Sequence, residues 1–147
     1  MPNVGSPHAA CVNRLNHFFV TRLGTRGVVH VHNPVRLDRY TEASPDLAVL
    51  KPRDDFYACA YPVPEDVYLI VEVSEDTLQA DRAAKVPMYA QAGILDVWMV
   101  DLGERAVEIY RDPTSTGWRH LARKMYTDTW TLTAFPDLRV TGADMFG

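Results

Sequence analysis

The feature that most constrains the fold is an apolar run, from Val67 to Val73, that contains one acidic residue. It has the sequence Val-Tyr-Leu-Ile-Val-Glu-Val, and it is apolar on both alternating faces, which is typical of a central strand covered on both sides. The acidic residue is Glu72. Because a buried carboxylate without a partner costs several kcal/mol, we expect Glu72 to be ion-paired, protonated or bound to a metal ion. The ordinary alternative is a strand end whose last inward side chain reaches solvent or an ion-pair partner.

Helix and strand patterns alternate on both sides of this run. Residues 8–23 have apolar side chains at three- and four-residue steps, which predicts an amphipathic helix ended by Gly24 and Gly27. Extended segments are predicted at 28–37, short or at a sheet edge because of Pro34, and at 46–50. A helix to about residue 92 is predicted after the central strand, with Ser74 and Thr77 as capping residues and with Pro87 kinking or splitting it.

The remaining segments are predicted to be mostly strands. A third core strand is expected at 94–101 and an antiparallel hairpin at 106–111 and 118–123, around a turn at 112–117. A short strand near 129–132 and a final turn or helix complete the chain. The order of helix, three strands, helix and further strands indicates an α/β fold with a mixed central sheet flanked by helices. At 147 residues, the chain is expected to form one domain over 1–147.

Composition limits the classes of function. The formal net charge is −4, which argues against a protein that coats nucleic acid without specificity but does not exclude a nuclease, whose metal site needs carboxylates. No apolar run approaches the ~20 residues that span a bilayer, and the N-terminus lacks the layout of a signal peptide. The two cysteines, Cys11 and Cys59, form no Cys-x-x-Cys pair and indicate reduced thiols in a cytoplasmic protein.

Asp46 is a second candidate carboxylate. It follows Pro45 at the start of a predicted strand, so it could meet Glu72 at one end of the sheet if the two strands are neighbours. Two carboxylates with water form a hard-oxygen site suited to Mg²⁺. The alternative is that Asp46 is a turn residue bonded to local backbone.

Lys85 lies on the helix that follows the Glu72 strand, four residues after Asp81. The ordinary interpretation is a surface pair with Asp81, worth only ~0.3–0.5 kcal/mol. The functional alternative is that Lys85 reaches over the end of the sheet, where its ammonium would orient an attacking water or stabilise charge on a phosphate. Tyr89 lies one turn further on the same face and could contact phosphate or simply pack.

Other chemistry-bearing residues have simpler explanations. His30 and His32 could ligate zinc, but no third ligand is near in sequence, and a partly exposed strand face is favoured. Ser74 and Thr77 match no Ser-His-Asp arrangement. The three tryptophans are expected in the core. Four basic residues near the Asp46 strand could line a nucleic-acid groove or form a solvated surface: Arg36, Arg39, Lys51 and Arg53.

The motifs Pro45-Asp46, Glu72-Val73-Ser74, Asp81 through Lys85 to Tyr89-Ala90, Gly93-Ile94 and Trp98-Met99-Val100-Asp101 resemble a large bacterial family. It is the family of putative restriction endonucleases, long catalogued as a domain of unknown function, within the PD-(D/E)xK nuclease superfamily. The resemblance runs from about Ser6 to about Arg123. In the superfamily pattern the lysine lies two residues after the second acid, and this chain has Ser74 at that position. In this branch of the superfamily the lysine has moved to the following helix, and Lys85 matches that place.

The resemblance implies a restriction endonuclease-like fold and metal-dependent hydrolysis of phosphodiester bonds in DNA. Asp46, Glu72 and Lys85 would be catalytic, Asp46 and Glu72 would hold Mg²⁺ or Mn²⁺, and Asp81, Tyr89 and Ser74 would be accessory. A homodimer is expected, since two sites related by a two-fold axis can cut two strands.

Two further expectations concern the N-terminal region. The family's N-terminal segment is expected to be short or missing, and His8, which matches a family histidine at the start of the first helix, is expected to cap or pack. The alternatives to an active nuclease are a degenerate nuclease-fold module that binds nucleic acid or protein, and a different metal-dependent hydrolase.

Overall fold

The computed structural model describes residues 6–76 and 78–147. It forms one six-stranded sheet with helices on both faces and two small two-stranded ribbons. The helices are α1 (Pro7–Leu23), α2 (Leu78–Ala92) and α3 (Gly142–Phe146), with 3₁₀ turns at Gly24–Arg26 and Pro64–Asp66. The strands are β1 (Val28–Val31), β2 (Val35–Arg36), β3 (Glu42–Ala43), β4 (Leu47–Leu50), β5 (Val67–Ser74), β6 (Asp96–Asp101), β7 (Ala106–Thr114), β8 (Gly117–Met125), β9 (Thr129–Thr131) and β10 (Arg139–Thr141).

The central sheet has the strand order β1-β4-β5-β6-β7-β8. Only the β5–β6 pair is parallel, and every other pair in this sheet is antiparallel. The parallel pair requires a crossover, which α2 provides. The predicted mixed sheet and the central position of the apolar run are therefore confirmed, as is an edge position for the strand before Pro34.

The two faces of the sheet bury separate cores. On one face α1 packs Leu15 and Phe19 toward the sheet, and the Phe19 ring lies 6.0 Å from that of Trp98. On the other face α2 contributes Val86 and Tyr89 to a second apolar cluster. Because β5 lies between these two cores, its side chains on both faces are buried, and this is why a carboxylate on β5 needs partners.

Local capping chemistry determines where α1 begins and ends. The Ser6 hydroxyl accepts a hydrogen bond from the Ala9 N–H at 3.0 Å, and Pro7 occupies the first turn, where no N–H is needed. The helix ends at Gly24, whose φ of 56° is left-handed. Ser6, and not His8, is thus the capping residue.

Several elements differ from the sequence-based expectations. Helix α2 continues through Pro87 as one element and is not split. The hairpin is longer than predicted, because β7 and β8 pair as far as Thr114 and Gly117, and the Thr114 hydroxyl accepts from the N–H groups of Thr116 and Gly117. The predicted extended segment 28–37 is divided, because β1 ends at Val31 and β2 pairs with β3 in a short ribbon outside the central sheet.

Two further findings concern the helices. Thr77, a predicted capping residue, lies outside the described residues. Within the ranges that the structure describes, no helix is both long and apolar enough to cross a membrane.

Candidate active site

The two candidate carboxylates meet where β4 begins and β5 ends. These strands are antiparallel, with Leu47 opposite Val71, so Asp46 lies beside the end of β5. The Asp46 main-chain N–H donates to Glu72 Oε1 at 3.3 Å, and the Val73 N–H donates to Asp46 Oδ2 at 2.7 Å. Each strand therefore holds the carboxylate of the other through a main-chain hydrogen bond. Asp46 is not a turn residue bonded only to its own neighbours.

Glu72 has its partners on helix α2. Its side chain is 3% exposed, the Tyr89 hydroxyl donates to Oε2 at 2.7 Å, and Lys85 Nζ lies 3.3 Å from Oε1. Burial raises the pKa of Glu72, while the Tyr89 hydrogen bond and the Lys85 charge oppose that rise. Glu72 therefore has the partners that its burial requires: the Lys85 ammonium and the Tyr89 hydroxyl, which lie four residues apart in the sequence.

The spacing of Lys85 and Tyr89 explains how one helix reaches one carboxylate. Residues four apart lie one above the other on a helix face, and this face of α2 lies against β5 and β6. Tyr89 is fully buried, whereas Lys85 keeps about a third of its side chain exposed (36%). Lys85 therefore pairs with Glu72 at the edge of the core and still reaches solvent.

Ser74 and Asp81 form a separate link between β5 and α2. The Ser74 hydroxyl donates to Asp81 Oδ2 at 2.5 Å. The expected capping role of Ser74 is wrong, because β5 continues through it and α2 begins only at Leu78. The hydrogen bond attaches the end of β5 to the first turn of the helix that presents Lys85.

Two histidines adjoin Asp46. His8 Nε2 lies 3.2 Å from Asp46 Oδ2, and His32 Nδ1 lies 3.5 Å from Oδ1. Their rings stack with centroids 6.2 Å apart. The main-chain N–H of His8 donates a hydrogen bond to Glu75 Oε1 at 3.1 Å. His8 does not cap the helix; its ring packs on that of His32, as one of the two expectations had it, and it also contacts Asp46. No local pattern could have indicated this contact, because 38 positions separate the two residues and the fold alone brings them together.

His30 does not pair with His32 as a zinc site would require. Its ring packs edge-on against Tyr57, with centroids 5.9 Å apart, while His32 follows β1 with a left-handed φ of 55° and turns toward Asp46. Among residues 6–76 and 78–147, no group of three or more His, Cys, Asp or Glu side chains could hold a metal ion.

Asp46 lines an open cavity of about 360 Å³ together with His8, Val73, Glu75, Asp76 and Lys85, while Glu72 is buried and is not part of this lining. Asp46 and Glu72 supply the hard oxygen donors that Mg²⁺ and Mn²⁺ prefer, and both ions commonly keep several water or phosphate ligands. Two carboxylates joined through main-chain hydrogen bonds, with Asp46 at the open cavity, fit that requirement. The residues present are therefore chemically suited to a divalent cation.

Other predicted features are structural. Arg36 is paired with Glu42 at 2.9 Å and Arg53 with Asp66 at 3.3 Å, which favours a solvated charged surface over a nucleic-acid groove there. Asp96, which the sequence did not single out, is fully buried at the start of β6. Its carboxylate accepts from Trp98, Arg111 and the Thr133 N–H, so it joins the sheet to the chain segment after β9.

Comparisons with known proteins agree with this architecture. The model of the family Uma2, described as "putative restriction endonuclease", matches residues 1–143. The fold is similar to the crystal structure of a putative nuclease belonging to DUF820 from Anabaena variabilis ATCC 29413, with a TM-score of 0.72 and 17% sequence identity. That similarity covers 99% of this chain and 83% of the other, and at this identity it shows the fold. No curated protein matches the chain.

Proposed function

Because the chain belongs to the Uma2 family of putative restriction endonucleases, we propose that it is a metal-dependent endonuclease that hydrolyses phosphodiester bonds in DNA. The observation that supports this proposal most strongly is the meeting of Asp46, Glu72 and Lys85 at one end of the sheet. Lys85 Nζ lies 3.3 Å from Glu72 Oε1, and the same oxygen accepts the Asp46 N–H at 3.3 Å. Asp46, next to β4, and Lys85, on α2, thus converge on the carboxylate of Glu72 on β5.

In this proposal Asp46 and Glu72 hold a Mg²⁺ or Mn²⁺ ion, which supplies the Lewis acidity needed to polarise a phosphate and to activate water. The Val73 N–H and His8 hold Asp46 Oδ2, and the Tyr89 hydroxyl holds Glu72 Oε2. These contacts orient both carboxylates before substrate binds.

Lys85 is proposed to act on the substrate side. Its ammonium lies at the cavity and is partly exposed, so it can donate to an attacking water or to a phosphate oxygen. A fixed positive charge at this position stabilises the negative charge that develops as the phosphodiester is attacked. Glu72 keeps the ammonium in place, which makes Lys85 both a partner of the buried carboxylate and a catalytic residue.

Two broader features belong to the same proposal. We infer a homodimer, because two sites related by a two-fold axis can cut both strands of a duplex. We also infer a cytoplasmic location, because the two cysteines form no disulfide pair: Cys11 is buried and Cys59 is exposed.

The test is cleavage of plasmid DNA in the presence of Mg²⁺. Glu72→Gln and Lys85→Ala should each lower the cleavage rate by on the order of a hundred- to a thousandfold, and chelation of the metal should abolish cleavage. Lys51→Ala is the matched control, because Lys51 follows the far end of β4 from Asp46 and should leave the rate unchanged.

Circular dichroism of each variant establishes that it is folded. Equal cleavage by wild type and Glu72→Gln would contradict the proposal and indicate another site or a contaminating enzyme. Metal binding without cleavage of any nucleic acid would favour a degenerate nuclease-fold module.

A further inference from the structure

The two halves of helix α2 are held against the sheet in different ways. Beyond Lys85 the helix is anchored by buried side chains, namely Val86, Tyr89 and Ala90. Among residues 78–85, all of which the structure describes, no side chain is fully buried, and only Leu78 adds to the apolar cluster under the helix. The half of α2 that carries Lys85 therefore depends on polar contacts for its position.

Pro87 weakens the connection between these two halves. Proline has no N–H, so the carbonyl of Ala83, four residues earlier, receives no helical hydrogen bond from that position. The helix continues through Pro87, but one main-chain hydrogen bond is missing beside the segment that carries Lys85. Burial of the second half is thus not enough to determine where Lys85 lies.

An ion pair with β7 anchors the first half. Arg82, three residues before Lys85, donates from Nε to Glu108 Oε1 at 2.8 Å and from Nη2 to Oε2 at 2.6 Å. Such a bidentate contact fixes the orientation of the guanidinium as well as its distance. The preceding residue, Asp81, is bonded to Ser74 of β5 at 2.5 Å. Consecutive residues of α2 are therefore attached to two different strands.

We propose that Arg82 is a positioning residue: through Glu108 it holds the first half of α2, and with it Lys85, in place. This proposal rests on the proposed function, in which Lys85 acts on the substrate. Residues three apart are neighbours on a helix surface, so a displacement of Arg82 is passed on to Lys85. Lys85 Nζ lies 3.3 Å from Glu72 Oε1, and a shift of about 1 Å in a catalytic group can lower a rate by on the order of a hundredfold.

Glu108 provides a matched control, because it also binds a cation that does not belong to α2. Arg123 Nη1, on β8, lies 3.4 Å from Glu108 Oε2, and the Tyr110 hydroxyl donates to Oε1 at 3.0 Å. Arg82→Ala therefore leaves the carboxylate with partners. Arg123→Ala removes an equal charge from the same carboxylate but leaves α2 attached to β7.

Hydrogen exchange tests the anchoring without any cleavage. In Arg82→Ala the amides of residues 82–86 should exchange about tenfold faster or more, while those of residues 90–92, beyond Pro87, should keep their rates. In Arg123→Ala both groups should exchange as in the wild type. Unchanged rates at 82–86 would overturn the proposal, and so would equal acceleration on both sides of Pro87, which indicates a general loss of stability.

A double-mutant cycle tests whether the anchoring acts on Lys85. Lys85→Ala should raise the unfolding constant, measured by urea titration, about tenfold or more in the wild type and in Arg123→Ala, because an ionic partner of Glu72 is lost. In Arg82→Ala it should raise that constant less than about threefold, because Lys85 is already displaced. An equal increase in all three backgrounds would show that Arg82 does not position Lys85.

Plasmid cleavage measures the consequence for the reaction. Arg82→Ala should lower kcat by about ten- to a hundredfold with little change in KM, whereas Arg123→Ala should cleave as the wild type does. Equal kcat in Arg82→Ala and an active wild type would contradict the proposal. If the wild type does not cleave DNA, the proposed function fails, and the exchange and unfolding measurements still decide whether Arg82 positions Lys85 against Glu72.

Discussion

Tyr89 makes the buried carboxylate of Glu72 compatible with a folded core. Its hydroxyl is 2.7 Å from Glu72 Oε2, and both side chains are almost completely buried. Burial and the neighbouring Glu72 charge raise the pKa of Tyr89, so its hydroxyl remains a donor at any physiological pH. Lys85 compensates the other oxygen, so the loss of either partner would leave part of a buried carboxylate unsatisfied.

Tyr89→Phe removes this donor and little else. We expect the free energy of unfolding, measured by urea titration, to fall by about 1.5–3 kcal/mol, the usual worth of a hydrogen bond to a charged group. In a Glu72→Gln background the same change should cost only about 0.5–1.5 kcal/mol, because the bond then joins neutral groups. An identical cost in both backgrounds would show that Tyr89 contributes through packing alone and not through Glu72.

Residues of the candidate site differ in how far the sequence could predict them. Glu72 is predictable, because a carboxylate in an apolar strand needs a partner wherever that strand lies. Asp46 is predictable only as a residue able to meet Glu72, which requires that β4 and β5 be neighbours. His8 is not predictable from local patterns, since its contact with Asp46 depends on how α1 crosses the end of the sheet.

At the scale of elements, α1 matters because its first turn enters the candidate site. Ser6 caps this turn, and two residues later the His8 side chain reaches Asp46. The buried stripe of α1, which includes Leu15 and Phe19, fixes the helix to the sheet along its length. The position of His8 therefore depends on whether the first turn is formed.

Ser6→Ala should loosen this first turn. The loss of an N-cap typically costs about 1 kcal/mol of stability, which a urea titration resolves. Hydrogen exchange should accelerate at the Ala9 amide, which loses its acceptor, and not at amides in the middle of α1. Ser6→Asp keeps a capping oxygen and is the control. Unchanged exchange at Ala9 in Ser6→Ala would show that packing of α1 alone orders the turn.

Elements with strong periodicity are predictable here, and those fixed by tertiary contacts are not. The stripe of α1 and the apolar β5 have patterns that only one kind of element satisfies. The β2–β3 ribbon is too short to show a pattern, and its register depends on contacts such as the Arg36 N–H donating to the Pro62 carbonyl. Pro87 lies within α2 without splitting it, whereas its local chemistry leaves both a kink and a split open.

At the scale of the whole molecule, the core under α1 connects the candidate site to global stability. Cys11 lies in this core with no exposed surface, one turn of α1 beyond His8. Burial raises its pKa to about 12, with a smaller contribution from Asp46 and an opposing one from Arg14. Because the thiolate is the reactive form, the Cys11 thiol is inert while α1 stays on the sheet.

Thiol labelling should consequently report unfolding of the whole molecule. In native protein near pH 8, Ellman's reagent should react quickly with one thiol, the exposed Cys59, and with both after denaturation. A Cys59→Ser variant should lack the fast phase. Its remaining thiol, Cys11, should then react at a rate that rises with urea as steeply as global unfolding does, because α1 must leave the sheet first. Rapid labelling of Cys11 without urea would instead mean that α1 detaches on its own, and that the contact between His8 and Asp46 is made only part of the time.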